Sequence, residues 1–214
     1  MPAVAVAALI LAGCGSSTPS AAPPASTEHS TTCSYLADGE SPAKPVDPPA
    51  AQEPDTGTAT VELTMNGGIV TVEMDRAATP CTVGSFVHLG QAGYYTDTPC
   101  HRLTASPTLS VLQCGDPTGT GGGGPGYVFA DETDPGMTYP AGTVAMANAG
   151  PDTNGSQFFL VYEDSKLPPS YTVFGQITGG MDVLNRIAEQ GTTNGGPDGA
   201  PAEPVTISAV AVTG

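Results

Sequence analysis

The residues of this chain that could do chemistry are one arginine in a β-prone segment and a group of amides and aromatics further along. Arg102 is followed in the next β-prone segment by Gln113, and the later stretch 142–161 contains Phe158 and Phe159 side by side. Neighbouring residues of an extended segment point to opposite faces, so one phenylalanine is expected in a core and the other outside it. An outward aromatic beside a polar, turn-rich loop predicts a binding pocket.

The arginine itself has two explanations. The chain contains only five Lys and Arg against 21 Asp and Glu, so a cation in a β-rich segment is conspicuous. Arg102 could act on a bound ligand, or it could form a structural salt bridge with one of the acids. The spacing of the residues alone favours the salt bridge.

Other reaction classes find little support in the sequence. There is no Gly-x-Ser-x-Gly motif, and Ser106, His101 and Asp116 lack the context of a nucleophilic triad. No paired carboxylates lie near the candidate pocket, which disfavours glycoside hydrolysis. The glycine-rich run 115–126 lacks the Gly-Lys-Ser/Thr ending of a phosphate-binding loop. We interpret it as an ordered, irregular surface loop whose backbone passes close to another group.

Charge and composition exclude further partners. The formal net charge of −16 argues against nucleic acid, because binding to phosphates needs a basic patch. The acidity is instead typical of a soluble exported protein. The cysteines after residue 14 show no Cys-x-x-Cys spacing, and the three histidines do not fall at metal-ligand intervals. We therefore expect no metal site and no cofactor.

The first residues predict export. An apolar run ends in Leu11-Ala12-Gly13-Cys14, which resembles the lipobox of bacterial lipoproteins. The resemblance implies cleavage before Cys14, lipidation of Cys14 and a membrane anchor on the outer face of the bacterial cell membrane. An ordinary secretory signal with a coincidental cysteine is the alternative. The segment before Cys14 has no Lys or Arg, and an upstream start codon would supply the basic region that signal peptides normally carry.

Composition divides the chain into three parts. Residues 1–13 are read as the signal segment and 14–57 as a disordered tether, because this stretch is rich in Ser, Thr, Pro and Ala and poor in branched aliphatics. Residues 58–214 have the size of one globular domain. Export favours disulfides, so we expect at least one. The four candidates allow three pairings, which the sequence leaves open: Cys33, Cys81, Cys100 and Cys114.

Within the domain, periodicity predicts a mainly β fold. Alternating runs on either side of Asn66-Gly67 predict a β-hairpin, helical spacing predicts a helix over 81–92, and a second short helix starts near Met181 and ends at Gly191. About eight strands follow one another mostly without intervening helices. Such a pattern predicts an antiparallel sheet closed into an eight-stranded barrel, with the two helices at its open ends.

Three motifs together resemble the cyclophilin family of peptidyl-prolyl cis-trans isomerases. They are Cys100-His-Arg-Leu103, the run Met146-Ala-Asn-Ala-Gly-Pro-Asp-Thr-Asn-Gly-Ser-Gln-Phe-Phe159, and Val173-Phe-Gly175. The resemblance covers residues 58–214 and implies an eight-stranded antiparallel barrel capped by two helices, in agreement with the strand count. It also implies a monomer that acts on Pro-containing polypeptides and assists the folding of exported proteins.

The resemblance assigns the site residue by residue. Arg102 matches the catalytic arginine, Gln113 the glutamine beside it, and Phe159 the floor of the proline pocket. The substrate-binding positions are Val111, Met146, Ala147, Asn148, Gln157, Leu167 and Tyr171.

Two departures from the family pattern have consequences. The link between Arg102 and Gln113 is longer than usual, so Leu109 or Val111 must supply the apolar wall. Lys166 stands where cyclosporin-sensitive members carry Trp, so cyclosporin should bind weakly. The altered wall also keeps open a second function, a non-catalytic binding module or chaperone for Pro-containing segments.

Overall fold

A computed structural model describes residues 1–3 and 29–214 of the chain. Most of the regular structure in these residues is β-strand, as the periodicity predicts. In chain order the elements are β1 (Ser30–Thr32), β2 (Leu36–Ala37), β3 (Gln52–Pro54), β4 (Thr58–Met65), β5 (Gly68–Asp75), α1 (Pro80–Gln91), β6 (Thr98–Cys100), β7 (Arg102–Ser106), β8 (Leu109–Cys114), β9 (Tyr127–Val128), β10 (Thr143–Met146), β11 (Phe158–Val161), β12 (Val173–Gly179), α2 (Met181–Gln190), β13 (Asp198–Gly199) and β14 (Val205–Thr213).

Ten strands form one antiparallel sheet in the order β13-β7-β8-β11-β10-β12-β5-β4-β14-β6. The sheet curls into a half-barrel, so the prediction of a closed eight-stranded barrel is wrong. The reason lies at the two ends of the sheet. The short strand β13 occupies the free edge of β7, and β6 pairs with β14. Pro99 in β6 has no N–H to donate to another strand.

Local sequence signals place the helices and the first hairpin correctly. Strands β4 and β5 pair from Thr58 opposite Asp75 to Met65 opposite Gly68, so Asn66 and Gly67 form the predicted turn. Helix α1 begins at Pro80, whose missing N–H costs nothing in a first turn. Helix α2 lies between Gly180 and Gly191, both with positive φ.

One hydrophobic core joins the sheet to both helices. It includes Phe86 of α1 and Val183 and Leu184 of α2, together with alternate residues of the strands. Aromatic rings fill its centre, where Phe86 lies 5.0 Å from Phe158 and 5.0 Å from Tyr95 between ring centroids. This core fixes one face of β10 and β11, and the opposite face is left for a site.

The stretch 29–57 is not the disordered tether that its composition predicts. Cys33 forms a disulfide with Cys81 of α1, and β1 pairs with β3. Strand β2 pairs with β9, next to the glycine-rich loop. The Tyr35 ring packs edge-on against Tyr127 and Phe129 at 5.6 and 5.5 Å. A covalent bond and a few specific contacts therefore replace the large apolar surface that the segment lacks.

A lysine of the same segment binds the turn that follows α1. The Lys44 ammonium donates to the carbonyls of Gly93, Tyr94 and Thr96, at 3.3, 3.1 and 2.5 Å. Cations are favourable near a helix C-terminus, where carbonyls lack partners within the helix. The predicted signal segment and Cys14 lie outside the described residues, apart from residues 1–3. Within the described part, no helix is long and apolar enough to cross a membrane.

Candidate active site

The three predicted catalytic residues form a row across neighbouring strands. Arg102 of β7 lies opposite Gln113 of β8, and Gln113 lies opposite Phe159 of β11. Ala145 of β10 continues the row beyond Phe159. Residues opposite one another on antiparallel strands share a face, so their side chains meet although they are far apart in sequence. The register of the sheet therefore brings a guanidinium, an amide and an aromatic ring together.

Alternation along β10 and β11 separates this row from the core. Phe158 and Met146 lie opposite each other and belong to the main core, at 0% and 1% exposure. Phe159 and Ala145 point to the other face, in a second cluster. The prediction that the two phenylalanines point to opposite faces is confirmed, although Phe159 is also buried. Met146 is placed on the core face, away from the site, because it is one residue out of phase with Ala147.

The row borders a small cavity of about 160 Å³. Phe159, which is 4% exposed, lines the cavity, and Arg102 and Gln113 contribute its polar part. Both candidates for the apolar wall, Leu109 and Val111, line it. The complete lining is Arg102, Leu109, Val111, Gln113, Ala147, Asn148, Phe159, Leu167 and Tyr171. Of the predicted site residues, only Met146 and Gln157 are absent from this lining.

Gln157 supports the site from behind through a chain of hydrogen bonds. Arg102 Nη1 donates to Gln113 Oε1 at 3.2 Å, and Gln113 Nε2 donates to Gln157 Oε1 at 3.0 Å. Gln157 Nε2 in turn donates to the carbonyls of Gly121 and Gly123, at 2.9 and 3.0 Å. The Arg102 side chain can only donate hydrogen bonds, so the side-chain amides of Gln113 and Gln157 each have one favoured orientation. Gln113 thus presents its oxygen to Arg102.

A buried carboxylate organises the glycine-rich loop, whose carbonyls accept the last hydrogen bonds of this series. Asp116 is 0% exposed and accepts hydrogen bonds from the backbone N–H groups of Thr118, Thr120, Gly121 and Gly123. Burial alone raises the pKa of Asp116, but these bonds and the Thr118 hydroxyl outweigh burial and lower it. A Cβ on Gly123 would lie 2.1 Å from an Asp116 oxygen. The predicted close approach of this loop is confirmed, and its target is a side chain of the protein itself.

Arg102 also forms the salt bridge that the spacing favoured. Its Nε donates to Asp198 Oδ1 at 2.8 Å and its Nη2 to Asp198 Oδ2 at 2.6 Å. The hydrogen bond from Arg102 lowers the pKa of Asp198, and Asp198 raises the pKa of Arg102. The guanidinium therefore lines the cavity and is paired at the same time, so the salt bridge leaves it in a position to face a bound ligand.

The far side of the cavity is held by a tyrosine that the sequence did not indicate. Tyr139 donates its hydroxyl to the carbonyl of Tyr171 and accepts from the Tyr171 N–H, both at 3.0 Å. The Tyr171 ring then stands edge-on to Phe159, with centroids 5.6 Å apart. Tyr139 lies in an acidic loop with no regular pattern, and only its fixed hydroxyl contacts reveal its role.

Asn148 fixes the neighbouring loop with its side chain. Its Nδ2 donates to the carbonyl of Ser170 at 2.9 Å, and its Oδ1 accepts from the N–H of Gly150 at 3.3 Å. Within residues 29–214, neither the backbone N–H nor the carbonyl of Asn148 has a hydrogen-bond partner. Its backbone is therefore available to an extended ligand.

A second disulfide flanks the row. Cys100, two residues before Arg102, is bonded to Cys114, which follows Gln113. The bond ties the end of β6 to β8 beside the site. The prediction of at least one disulfide is confirmed with two pairs, Cys33–Cys81 and Cys100–Cys114. Among the described residues no group of three or more His, Cys, Asp or Glu could hold a metal ion.

Comparison with known proteins gives this arrangement a family. Residues 60–212 match the family model described as "Cyclophilin type peptidyl-prolyl cis-trans isomerase/CLD". The "Probable peptidyl-prolyl cis-trans isomerase B" of Mycobacterium leprae is 49% identical over 200 residues, which are 86% of this chain and 68% of that protein. The protein of the same name from Mycobacterium tuberculosis is 50% identical over 193 residues, 83% of this chain and 63% of that one. The chain thus spans about two thirds of the length of these relatives.

Solved structures agree with the fold. A crystal structure of a cyclophilin type peptidyl-prolyl cis-trans isomerase from Cryptosporidium parvum superposes with a TM-score of 0.65 and 30% identity, covering 74% of this chain and 99% of that one. The structure of the same protein in the presence of the dipeptide Ala-Pro gives a TM-score of 0.63.

Proposed function

Because the chain belongs to the family of cyclophilin-type peptidyl-prolyl cis-trans isomerases, we propose that it catalyses cis–trans isomerisation of X-Pro peptide bonds in exported proteins. The observation that carries this proposal is the row of Arg102, Gln113 and Phe159 along a cavity of about 160 Å³ that has both apolar and polar walls. Such a cavity suits a proline ring, with a fixed cation and an amide beside it. Uncatalysed isomerisation takes tens of seconds or longer and can limit folding.

The chemistry follows from the amide bond. Resonance opposes rotation with a barrier of roughly 18 to 20 kcal/mol. In the twisted transition state the lone pair localises on the proline nitrogen, so a donor aimed there stabilises that state more than either planar state. Arg102 is this donor. It stays protonated, so it transfers no proton and forms no covalent bond.

The remaining residues hold the substrate while the bond turns. Phe159, Leu167, Tyr171 and the wall formed by Leu109 and Val111 enclose the ring. The unpaired backbone of Asn148 binds the flanking peptide groups, and Gln113 fixes one side of the guanidinium. A site that is ordered before binding loses little entropy when the substrate arrives.

The test compares isomerisation of an X-Pro peptide by wild type, Arg102→Ala and Arg102→Lys. Loss of one preorganised donor of this kind costs about 10² to 10³ in rate. We expect Arg102→Ala to lose activity by this factor while still binding peptide, and Arg102→Lys to recover little, because an ammonium cannot reproduce the planar fork. Peptide binding by the wild type without acceleration would support the non-catalytic binding module instead.

We also propose that the protein is exported and lipid-anchored through Cys14, at the outer face of the cell membrane. Two disulfides support an oxidising compartment. The sequence Leu11-Ala12-Gly13-Cys14 supports processing at Cys14. Mass spectrometry of protein extracted from membranes tests this proposal, since a Cys14→Ala chain should lose both the lipid mass and the membrane association.

Two further properties are proposed for the isolated domain. A main core formed within one chain supports a monomer, which sedimentation can test. Lys166 is exposed beside Leu167 and supports weak cyclosporin binding, because an ammonium offers no aromatic surface to an apolar ligand. Lys166→Trp should tighten cyclosporin binding, and a nanomolar inhibition constant for the wild type would overturn this part of the proposal.

A further inference from the structure

Asp198 contacts the proposed catalytic arginine from outside the cavity. Its two oxygens accept from Nε and Nη2 of Arg102, at 2.8 and 2.6 Å, in a bidentate pair. The two residues are 96 positions apart, and Asp198 does not line the cavity. Two parallel hydrogen bonds fix the plane of a guanidinium as well as its position.

The loop that carries Asp198 is itself fixed to the sheet. Strand β13 pairs with β7, with Asp198 opposite Thr104 and Gly199 opposite Leu103. The carbonyl of Pro197 accepts from the N–H of Ala105 at 2.8 Å. Within the loop, Asn194 Nδ2 donates to the Asp198 carbonyl at 3.0 Å. Asp198 therefore offers its carboxylate from an ordered support.

The donors of Arg102 divide between two partners. A guanidinium has five N–H groups. Asp198 occupies the one on Nε and one on Nη2, and Gln113 occupies one on Nη1. One N–H on each of Nη1 and Nη2 remains for a substrate. Asp198 and Gln113 therefore hold the guanidinium and still leave these two N–H donors for a ligand.

The pair is too exposed to matter much for stability. The side chains of Arg102 and Asp198 are 38% and 52% exposed, and ion pairs of this kind contribute little to folding. An arginine side chain has considerable rotamer freedom when it is unrestrained. We propose that Asp198 is a positioning residue that orients the Arg102 guanidinium toward the X-Pro bond. This inference rests on the function proposed above.

The experiment compares Asp198→Ala, Asp198→Asn and Asp198→Glu in the full chain, each with and without Arg102→Ala. The matched control is Asp182→Ala, which breaks the exposed Asp182–Arg186 pair of α2. Misplacing a catalytic group by about 1 Å can cost up to 10²-fold. We expect Asp198→Ala to lower kcat/KM by about 10- to 100-fold, mainly through kcat, with the melting temperature unchanged. Asp198→Glu should recover part of the loss, and Asp182→Ala should behave as wild type.

The double variant shows whether Asp198 acts through Arg102. With Arg102→Ala already present, Asp198→Ala should have no further effect on kcat/KM. Two results would overturn the inference. One is an equal loss of kcat/KM when Asp198→Ala is added to Arg102→Ala. The other is an Asp198→Ala single variant that is at least as active as wild type. These results are distinct from failure of the proposed function, in which the wild type itself would not accelerate isomerisation.

Discussion

The two halves of the candidate site are held in place by different means. The strand half consists of Arg102, Gln113 and Phe159, which meet through the register of β7, β8 and β11. The loop half consists of Asn148, Leu167 and Tyr171. Individual hydrogen bonds hold it: Asn148 Nδ2 donates to the Ser170 carbonyl, and the Tyr139 hydroxyl donates to the Tyr171 carbonyl. Register depends on the whole core, whereas each loop contact can be removed alone. Changes in the strand half should therefore affect stability and activity together, and changes in the loop half mainly activity.

The largest effect is expected for Phe159→Ala. Truncating a buried phenylalanine costs about 3 to 5 kcal/mol of unfolding free energy, and here it also removes the lining that would hold the proline ring. Phe158→Ala is the matched control, since its ring lies in the core on the other face. Urea denaturation should show similar losses for both variants, and peptide isomerisation per folded molecule should fall only for Phe159→Ala. Equal activities of the two variants would contradict the distinction between the site face and the core face of β11.

Removing one of the hydrogen-bonded side-chain amides should have an intermediate effect on activity. Gln157→Ala removes the partner of Gln113 Nε2 and leaves the Gly121 and Gly123 carbonyls without their donor. The Gln113 amide can then rotate and lose its bond to Arg102, so we expect kcat/KM to fall by about fivefold, the equivalent of one hydrogen bond of about 1 kcal/mol. Gln190→Ala, at the exposed end of α2, serves as the control. A Gln157→Ala chain with full activity would show that Arg102 does not need this support.

The charge on Asp198 has a small, pH-dependent effect on stability. Its pKa is lowered by Arg102, so it is ionised at neutral pH. The pair contributes stability above the usual Asp pKa of about 3.9 and loses that contribution as pH falls through the lower, folded pKa. Because both partners are exposed, the contribution is at most about 1 kcal/mol. The neighbouring groups are Arg102, His101, whose pKa is lowered by burial, and Tyr171.

A pH profile of kcat/KM separates Asp198 from its neighbours. Wild type should lose activity as pH falls through the lowered pKa of Asp198, which lies below the usual Asp value of about 3.9, whereas Asp198→Asn should be uniformly slower and flat over the same range. Burial lowers the pKa of His101 from its ordinary value, so a pH dependence that wild type and Asp198→Asn share would be assigned to the histidine instead. Unfolding monitored in parallel excludes acid denaturation as the cause.

In the strand half of the site, local periodicity predicts which residues share a face. The alternation that separates Phe158 from Phe159 is visible in the sequence, and so are the Asn66-Gly67 turn and both helices. The same rule would have excluded Met146, which is out of phase with Ala147 and lies in the core. The motifs shared with cyclophilins supplied the pairing of distant strands, which periodicity alone does not contain.

Long-range polar contacts were not predictable in the same way. Composition predicted a tether for 29–57, but the Cys33–Cys81 bond and the contacts of Lys44 attach this stretch to α1 and to the residues that follow it. The closed barrel failed because the two-residue strand β13 occupies the edge of β7. That strand also brings Asp198 to Arg102. In each case a single contact between residues far apart in sequence decides the outcome, and a local pattern carries no information about it.

The smallest expected effect tests the loop half at Tyr139. Tyr139→Phe keeps the ring against Phe159 but removes the hydroxyl that bonds both backbone groups of Tyr171. Hydrogen bonds of this type contribute about 1 kcal/mol each, and the carbonyl and N–H of Tyr171 lie at a partly exposed position where water can replace them. We expect a loss of about 1 kcal/mol in urea denaturation and a rise in KM of a few fold with kcat unchanged, because in the proposed site Tyr171 would enclose the proline ring of the substrate without touching its nitrogen. A fall in kcat instead would place Tyr171 in the chemical step and remove the division between a strand half that reacts and a loop half that encloses.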